Sequence, residues 1–145
     1  RKVFYELYSD GTAIVGRSVN AGGQVKLKNF FVYHGKTYVV KEISAEAFAN
    51  SNIRSLAITP ESELQIIHSR AFYKSRITSI TIPPKLQKLE KGWCEGTKYL
   101  NMVEIPVPNP HYLISNNILY TFDKKLLLFR YNSFKCDVLV SFLLI

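Results

Sequence analysis

Histidines, cysteines and clustered carboxylates are the side chains through which a chain could do acid–base, nucleophilic or metal chemistry, and here they are sparse. His34, His68 and His111 stand at no metal-ligand spacing from one another or from a cysteine, so the clustered donor set that zinc requires is not predicted. His34 adjoins a turn glycine and His68 follows an inward apolar position, which predicts solvated rather than catalytic imidazoles. Cys94 and Cys136 lack the neighbouring histidine and glycine-rich helix start that would activate a thiol. Glycines at 11, 16, 22, 23, 35, 92 and 96 fit neither the dinucleotide nor the phosphate-loop spacing. Among the acids, Glu61 and Glu63 are expected in a loop and Glu42 with Glu46 as a solvated helical pair. These spacings predict no catalytic residue, no cofactor and no metal.

Charge narrows the partners further. Nineteen Lys and Arg face eleven Asp and Glu, a formal charge of +8, which favours anionic partners at long range. Those cations run from Arg1 to Lys135 without a block of five or more, so no nucleic-acid patch is expected. No stretch approaches the roughly 18 consecutive apolar residues of a membrane helix. With 145 residues, 47% of them hydrophobic, the chain is expected to form one unit with a packed core. There is no N-x-S/T sequon, so heavy N-glycosylation is not expected.

The elements that must hold this unit together repeat. ISAEAFANSNIRSLAIT from Ile43, IHSRAFYKSRITSITIP from Ile67 and LEKGWCEGTKYLNMVEIP from Leu89 superimpose their apolar positions at spacings of 24 and 22 residues. Ile53, Leu56 and Ile58 align with Ile77, Ile80 and Ile82, and with Leu100, Val103 and Ile105. In SLAI, SITI and MVEI the apolar residues fall two apart, which predicts short strands with one face inward. An Ala-Phe pair four residues after the leading Ile has the spacing of a single helical turn carrying an aromatic to the opposite wall. The third unit has Trp93-Cys94 there and one extra residue before Leu100. Cys94 thus takes a phenylalanine position, where a buried free thiol would act as a small hydrophobe, with pairing to Cys136 as the alternative in an oxidising compartment. Tyr33, Tyr38, Tyr73, Tyr99, Tyr112 and Tyr120 are read as core residues at strand edges.

A period of 22 to 24 lies within that of leucine-rich repeats. The predicted fold is mostly β with short helical turns: a right-handed leucine-rich-repeat solenoid of about three coils, spanning about 43–66, 67–88 and 89–106. Open coil ends need covers. Residues 1–42 supply two hairpins as an N-terminal cap, around Asp10-Gly11 and around His34-Gly35-Lys36. Residues 107–145 supply a third, ILYTF and KKLLLF around Asp123-Lys124, followed by a tail read as a truncated coil or final strand.

The unit I-x3-A-F, a polar turn and I-x2-I-x-I-P resembles the leucine-rich repeat of BspA-like surface antigens. YELYSDGTAIVG and YHGKTYVVKEI are similar to the β segment that precedes the first repeat in that family, and NPHYLISNNILYTFDKKLLLF to its hairpin-forming variant unit. The resemblance covers roughly Tyr5 to Phe129. It implies a non-catalytic module at the cell surface or outside the cell, binding a protein ligand such as a host extracellular-matrix or cell-surface protein in adhesion. The contact residues expected on the open ladder face are Ser55, Ala57, Thr59, Ser79, Thr81, Met102 and Glu104. The alternatives are a basic side bearing Arg70, Lys74 and Arg76 that binds anionic glycans or lipids, a cytosolic protein-interaction scaffold of the same fold, and a segment that only extends a longer array.

Overall fold

The computed structural model describes residues 2–115 and 118–121, and the backbone of 126–130 and 140–141. Fourteen strands and no helix occur among the described residues, and none of their segments is a helix long and apolar enough to cross a membrane. Ten strands build two walls. On one wall β1 (Tyr5–Leu7), β2 (Thr12–Val15), β5 (Lys36–Ile43), β7 (Ile66–Ile67) and β9 (Lys88–Leu89) lie side by side, with β4 (Phe30–Tyr33) also paired to β5. On the other, β3 (Gly22–Lys26), β6 (Asn52–Ala57), β8 (Ser79–Thr81) and β10 (Met102–Glu104) form a four-stranded parallel ladder.

Register shows how the repeat is built. Val15, Ile43, Ile67 and Leu89 are consecutive ladder partners on the first wall; Val25, Leu56, Ile80 and Val103 are consecutive partners on the second. All eight are buried. Side chains alternate faces along a strand, so one apolar residue per strand suffices to face the core, and two stacked rows define four coils. The expected count of about three is therefore corrected to about four. The additional coil, Thr12 to Leu27, lies inside the segment read as cap. It escapes the period because Val15 and Ile43 are 28 residues apart, with the β4–β5 hairpin inserted, and because it carries Arg17-Ser18 in place of an Ala-Phe pair.

Both predicted N-terminal hairpins form, β1 with β2 and β4 with β5. Beyond the fourth coil, β11 (Tyr112–Ser115), β12 (Ile118–Thr121), β13 (Leu126–Arg130) and β14 (Val140–Ser141) pair antiparallel in that order. The predicted turn at Asp123-Lys124 and most of the tail lie outside the described residues. Asn109 marks the junction, at the position that Leu64 and Leu86 hold in preceding coils. Buried and polar, it must be satisfied. Its amide donates to the carbonyls of Pro83 and Leu86, and its side-chain oxygen accepts from the N–H groups of His111 and Tyr112. The Tyr112 hydroxyl in turn accepts the Leu89 N–H at 2.6 Å, and burial raises its pKa despite that bond.

The return segments joining the walls are arches rather than the expected helical turns. Ala47, Ala49 and Ser51 N–H groups bond back three residues within their own coil, to Ser44, Glu46 and Phe48. Those of Phe48 and Asn50 bond forward to the carbonyls of Ala71 and Tyr73 in the next coil. The pattern recurs one coil later, where Phe72 and Lys74 reach Trp93 and Glu95. An α-helix would bond its N–H groups beyond the first turn internally, to the fourth residue back. Here the bonds reach three residues back, alternate donors of these two arches run along the stacking axis, and each arch carries two left-handed residues. They are Glu46 and Asn50, then Arg70 and Lys74, then Gly92 and Gly96.

Aromatic packing fills the arch interior. Phe48 and Phe72 stack with centroids 5.4 Å apart, and Phe72 meets Trp93 edge-on at 6.2 Å. All three are buried. Trp93 stands at the alanine position of its unit and Cys94 at the phenylalanine position, so bulk and small have exchanged places.

Candidate functional site

Because the inner residues of the parallel ladder are Val25, Leu56, Ile80 and Val103, the residues flanking each of them point away from the core. They form two rows across four strands. Gln24, Ser55, Ser79 and Met102 are one, and Lys26, Ala57, Thr81 and Glu104 the other, each residue beside its ladder partner where the pairing is recorded. Gln24, Lys26, Ala57, Met102 and Glu104 are exposed, while Ser55, Ser79 and Thr81 are half-buried by their neighbours. The surface is shallow, small in side chain, and mixed in charge from Lys26 at one end to Glu104 at the other.

Six of the seven sequence-derived contact residues lie on these rows. Thr59 does not: it follows the end of β6, and its hydroxyl accepts the Asn29 amide at 2.8 Å, which ties the connection after the first coil to the second. Gln24 and Lys26 were missed because the first coil was missed. Their signal was present as alternation in GGQVKLK, but without a unit to align it to.

The basic side is more structured than a diffuse positive field. Arg70 sits 4.6 Å above the Tyr73 ring and reaches Glu95 at 3.2 Å, Lys74 approaches the same ring at 5.2 Å, and Arg76 lies over Tyr99 at 5.4 Å. Tyr99 is 50% exposed and Tyr33 is 55% exposed, so the reading of these tyrosines as core fails for both, while Tyr112 is buried. Tyr99 lies at a solvent edge beneath the Arg76 guanidinium, and Tyr33 meets His34 edge-on at 4.2 Å.

His68 is not the free, solvated imidazole expected: it is half-buried and held between two carboxylates. Its Nε2 lies 2.6 Å from Glu42 and its Nδ1 2.9 Å from Glu90, and Glu90 also accepts the Ser69 N–H. Partial burial works against the imidazolium, but the hydrogen bonds and charges of the two glutamates outweigh it and raise the His68 pKa. For Glu90 burial likewise opposes the charged form, and the Ser69 and His68 bonds prevail and lower its pKa. The clasp spans three coils. Glu42 and Glu46 accordingly form no helical pair, since Glu46 instead bonds Arg17 at 3.2 Å. Among the described residues no group of three or more His, Cys, Asp or Glu could hold a metal ion; here both imidazole nitrogens already face carboxylates.

Cys94 is buried and disulfide-bonded, which corrects the free-thiol expectation; the chain's other cysteine, Cys136, lies outside the described residues. The repeat alignment marks position 94 as interior but carries no information about what approaches it from outside the repeat.

Comparison with known proteins agrees with the repeat geometry. A family model described as BspA type leucine rich repeat region, in six copies, matches residues 24–123. Among solved structures, the chain is similar to a leucine rich cell surface protein from Faecalibacterium prausnitzii A2-165, at 10% identity and a TM-score of 0.34, over 83% of this chain and 58% of that one. The chain thus spans less than two thirds of that protein. No curated protein matches it.

Proposed function

Since the chain belongs to the BspA-type leucine-rich-repeat family, we propose that it is a non-catalytic protein-binding module of a cell-surface protein, serving adhesion, whose ligand docks on the outward rows of the β3-β6-β8-β10 ladder. The observation that carries this reading is the ladder face itself. Two rows of four mostly small or flexible side chains lie on a parallel sheet, and among the described residues no other strand joins that sheet. A partner could bury that face with little ordering cost on this side.

In this reading the solenoid is right-handed. Residues 1–42 hold the first coil with its capping hairpins, 43–106 the recognisable repeats, and 107–145 the hairpin-type variant unit. The disulfide at Cys94 supports a surface or extracellular home over a cytosolic scaffold, because such bonds persist in oxidising compartments. Contact residues are Ser55, Ala57, Ser79, Thr81, Met102 and Glu104, joined by Gln24 and Lys26; Thr59 serves the fold.

Binding to immobilised extracellular-matrix proteins tests it. Saturable binding that persists at high salt and disappears in a Ser79→Arg, Thr81→Glu double variant of unchanged thermal stability is the expected result. Binding that the double variant retains would remove the ladder face from the mechanism.

A further inference from the structure

At the N-terminal end of the same ladder an open groove of about 800 Å³ is lined by Asn20, Gly22, Gly23, Asn52, Arg54 and Arg76. Its volume falls within the range of small-ligand sites. We propose that this groove binds an acidic saccharide, with Arg54 and Arg76 taking its sulfate or carboxylate groups and the Asn20 and Asn52 amides its hydroxyls.

Backbone geometry builds the groove. The pairing of β3 with β6 shifts register between Gly23 and Gln24: Gly23 faces Ile53 and Gln24 faces Ser55, which leaves Arg54 without a partner on β3. A bulge of this kind bends its strand and re-aims a side chain. Gly23 is held at φ +68 with nothing within 4 Å of where a Cβ would stand, so the glycine is required by conformation and not by crowding. On the other flank, Thr78 clamps the Arg54 carbonyl with both its N–H, at 2.7 Å, and its hydroxyl, at 2.9 Å. Arg54 is therefore anchored at its backbone and unpaired toward the first coil.

Chemistry selects the ligand class. Among the described residues no carboxylate lines the groove and neither arginine has an acid partner; the ion pairs there use Arg17, Lys41, His68, Arg70 and Lys85 instead. Guanidinium groups match the flat, two-oxygen faces of sulfate and carboxylate. Arg76 rests over Tyr99, a contact that restrains the side chain before a ligand arrives and lowers the ordering cost of binding. The lining holds no apolar side chain larger than glycine. A peptide ligand would lack the buried anchor that protein interfaces rely on, whereas a polyhydroxylated anion needs none.

The test uses the whole chain and a heparin-derived tetrasaccharide, with its desulfated form and a neutral oligosaccharide as comparators. By calorimetry the sulfated probe is expected to bind one to one, with the neutral one silent. Arg54→Gln and Arg76→Gln should each weaken it about tenfold or more, as loss of a hydrogen bond between charged groups implies. Lys88→Gln on the opposite wall removes the same charge and should change affinity less than about twofold. Equal weakening by all three would reduce the effect to general attraction and overturn the site. So would an acidic peptide that binds with the same dependence on Arg54 and Arg76 while the saccharides do not. The Ser79→Arg, Thr81→Glu variant leaves every lining residue in place, so loss of protein adhesion and loss of saccharide binding are separable failures.

Discussion

The arches of the second and third coils differ from that of the fourth in nearly every side chain, yet they share one backbone. In the earlier pair Phe48 and Phe72 stack face to face, and residues with side chains occupy the left-handed positions. In the fourth coil glycines hold both left-handed positions, Trp93 supplies the ring from one position earlier, and a bonded cysteine fills the phenylalanine site. All three arches nevertheless keep two left-handed positions four residues apart and the same backbone turns, with the Trp93, Glu95 and Thr97 N–H groups bonding back to Glu90, Gly92 and Cys94 as those of Ala47, Ala49 and Ser51 do in the second coil. What the repeat keeps is the path of the backbone around a buried ring, not the order of its residues.

That comparison is sharpest where most volume is at stake. Phe72 packs between Phe48 and Trp93, and Phe72→Ala is expected to cost about 3–5 kcal/mol in urea unfolding. Trp93→Ala should match it within about 1 kcal/mol if the exchanged pair fills the same space; a cost less than half as large would show that the fourth arch is packed differently. Next comes the backbone. Gly96 has φ +74, and an added Cβ would stand 2.9 Å from Lys74 Cγ and 3.4 Å from its backbone nitrogen. Crowding therefore adds to conformation, and Gly96→Ala should destabilise by at least the roughly 1–2 kcal/mol of the left-handed backbone alone. The reverse change, Lys74→Gly, places in the third arch the residue that the fourth uses, and should stabilise by about 0.5–1 kcal/mol once the entropy of glycine is subtracted. If it destabilises instead, the contact of Lys74 with Tyr73 matters more than the strain.

The smallest effect belongs to the Glu42–His68–Glu90 clasp, which joins the two like coils to the unlike one. The His68 pKa is raised in the fold, so its contribution is fully present below the ordinary value of 6.5 and is lost as pH rises through the higher folded value. The Glu90 pKa is lowered, so its contribution holds above the ordinary 4.5 and fades as pH falls through the folded value. Stability from the clasp thus peaks between those limits. Melting temperature against pH should show a shallow maximum in mild acid that His68→Gln flattens; an identical profile in the variant would mean the carboxylates contribute nothing through this imidazole.

The sequence made the period and the inward register readable because each depends on residues at fixed spacing: Ile43 to Ile67 to Leu89, and Leu56 to Ile80 to Val103. The first coil was hidden, since recognition leaned on Ala-Phe and a constant period, and Thr12 to Leu27 has neither. The arch was mistaken for a helical turn because a four-residue apolar spacing serves both, and the left-handed residues that decide between them are ordinary Glu, Asn, Arg and Lys in two coils of three. His68 was misplaced because its partners lie 26 and 22 residues away, a distance that only stacking closes. Of the outward rows of the ladder, alternation identified six residues, and Thr59 lies off them because β6 ends before it.

The alternate N–H groups of the arches also carry a mechanical meaning. Their bonds, like those between the parallel strands of both walls, run along the stacking axis and join successive coils. Tension along that axis passes through every boundary in series, so the weakest boundary would open first and coils would detach one by one. Such a module would lengthen under tension in steps instead of breaking at once.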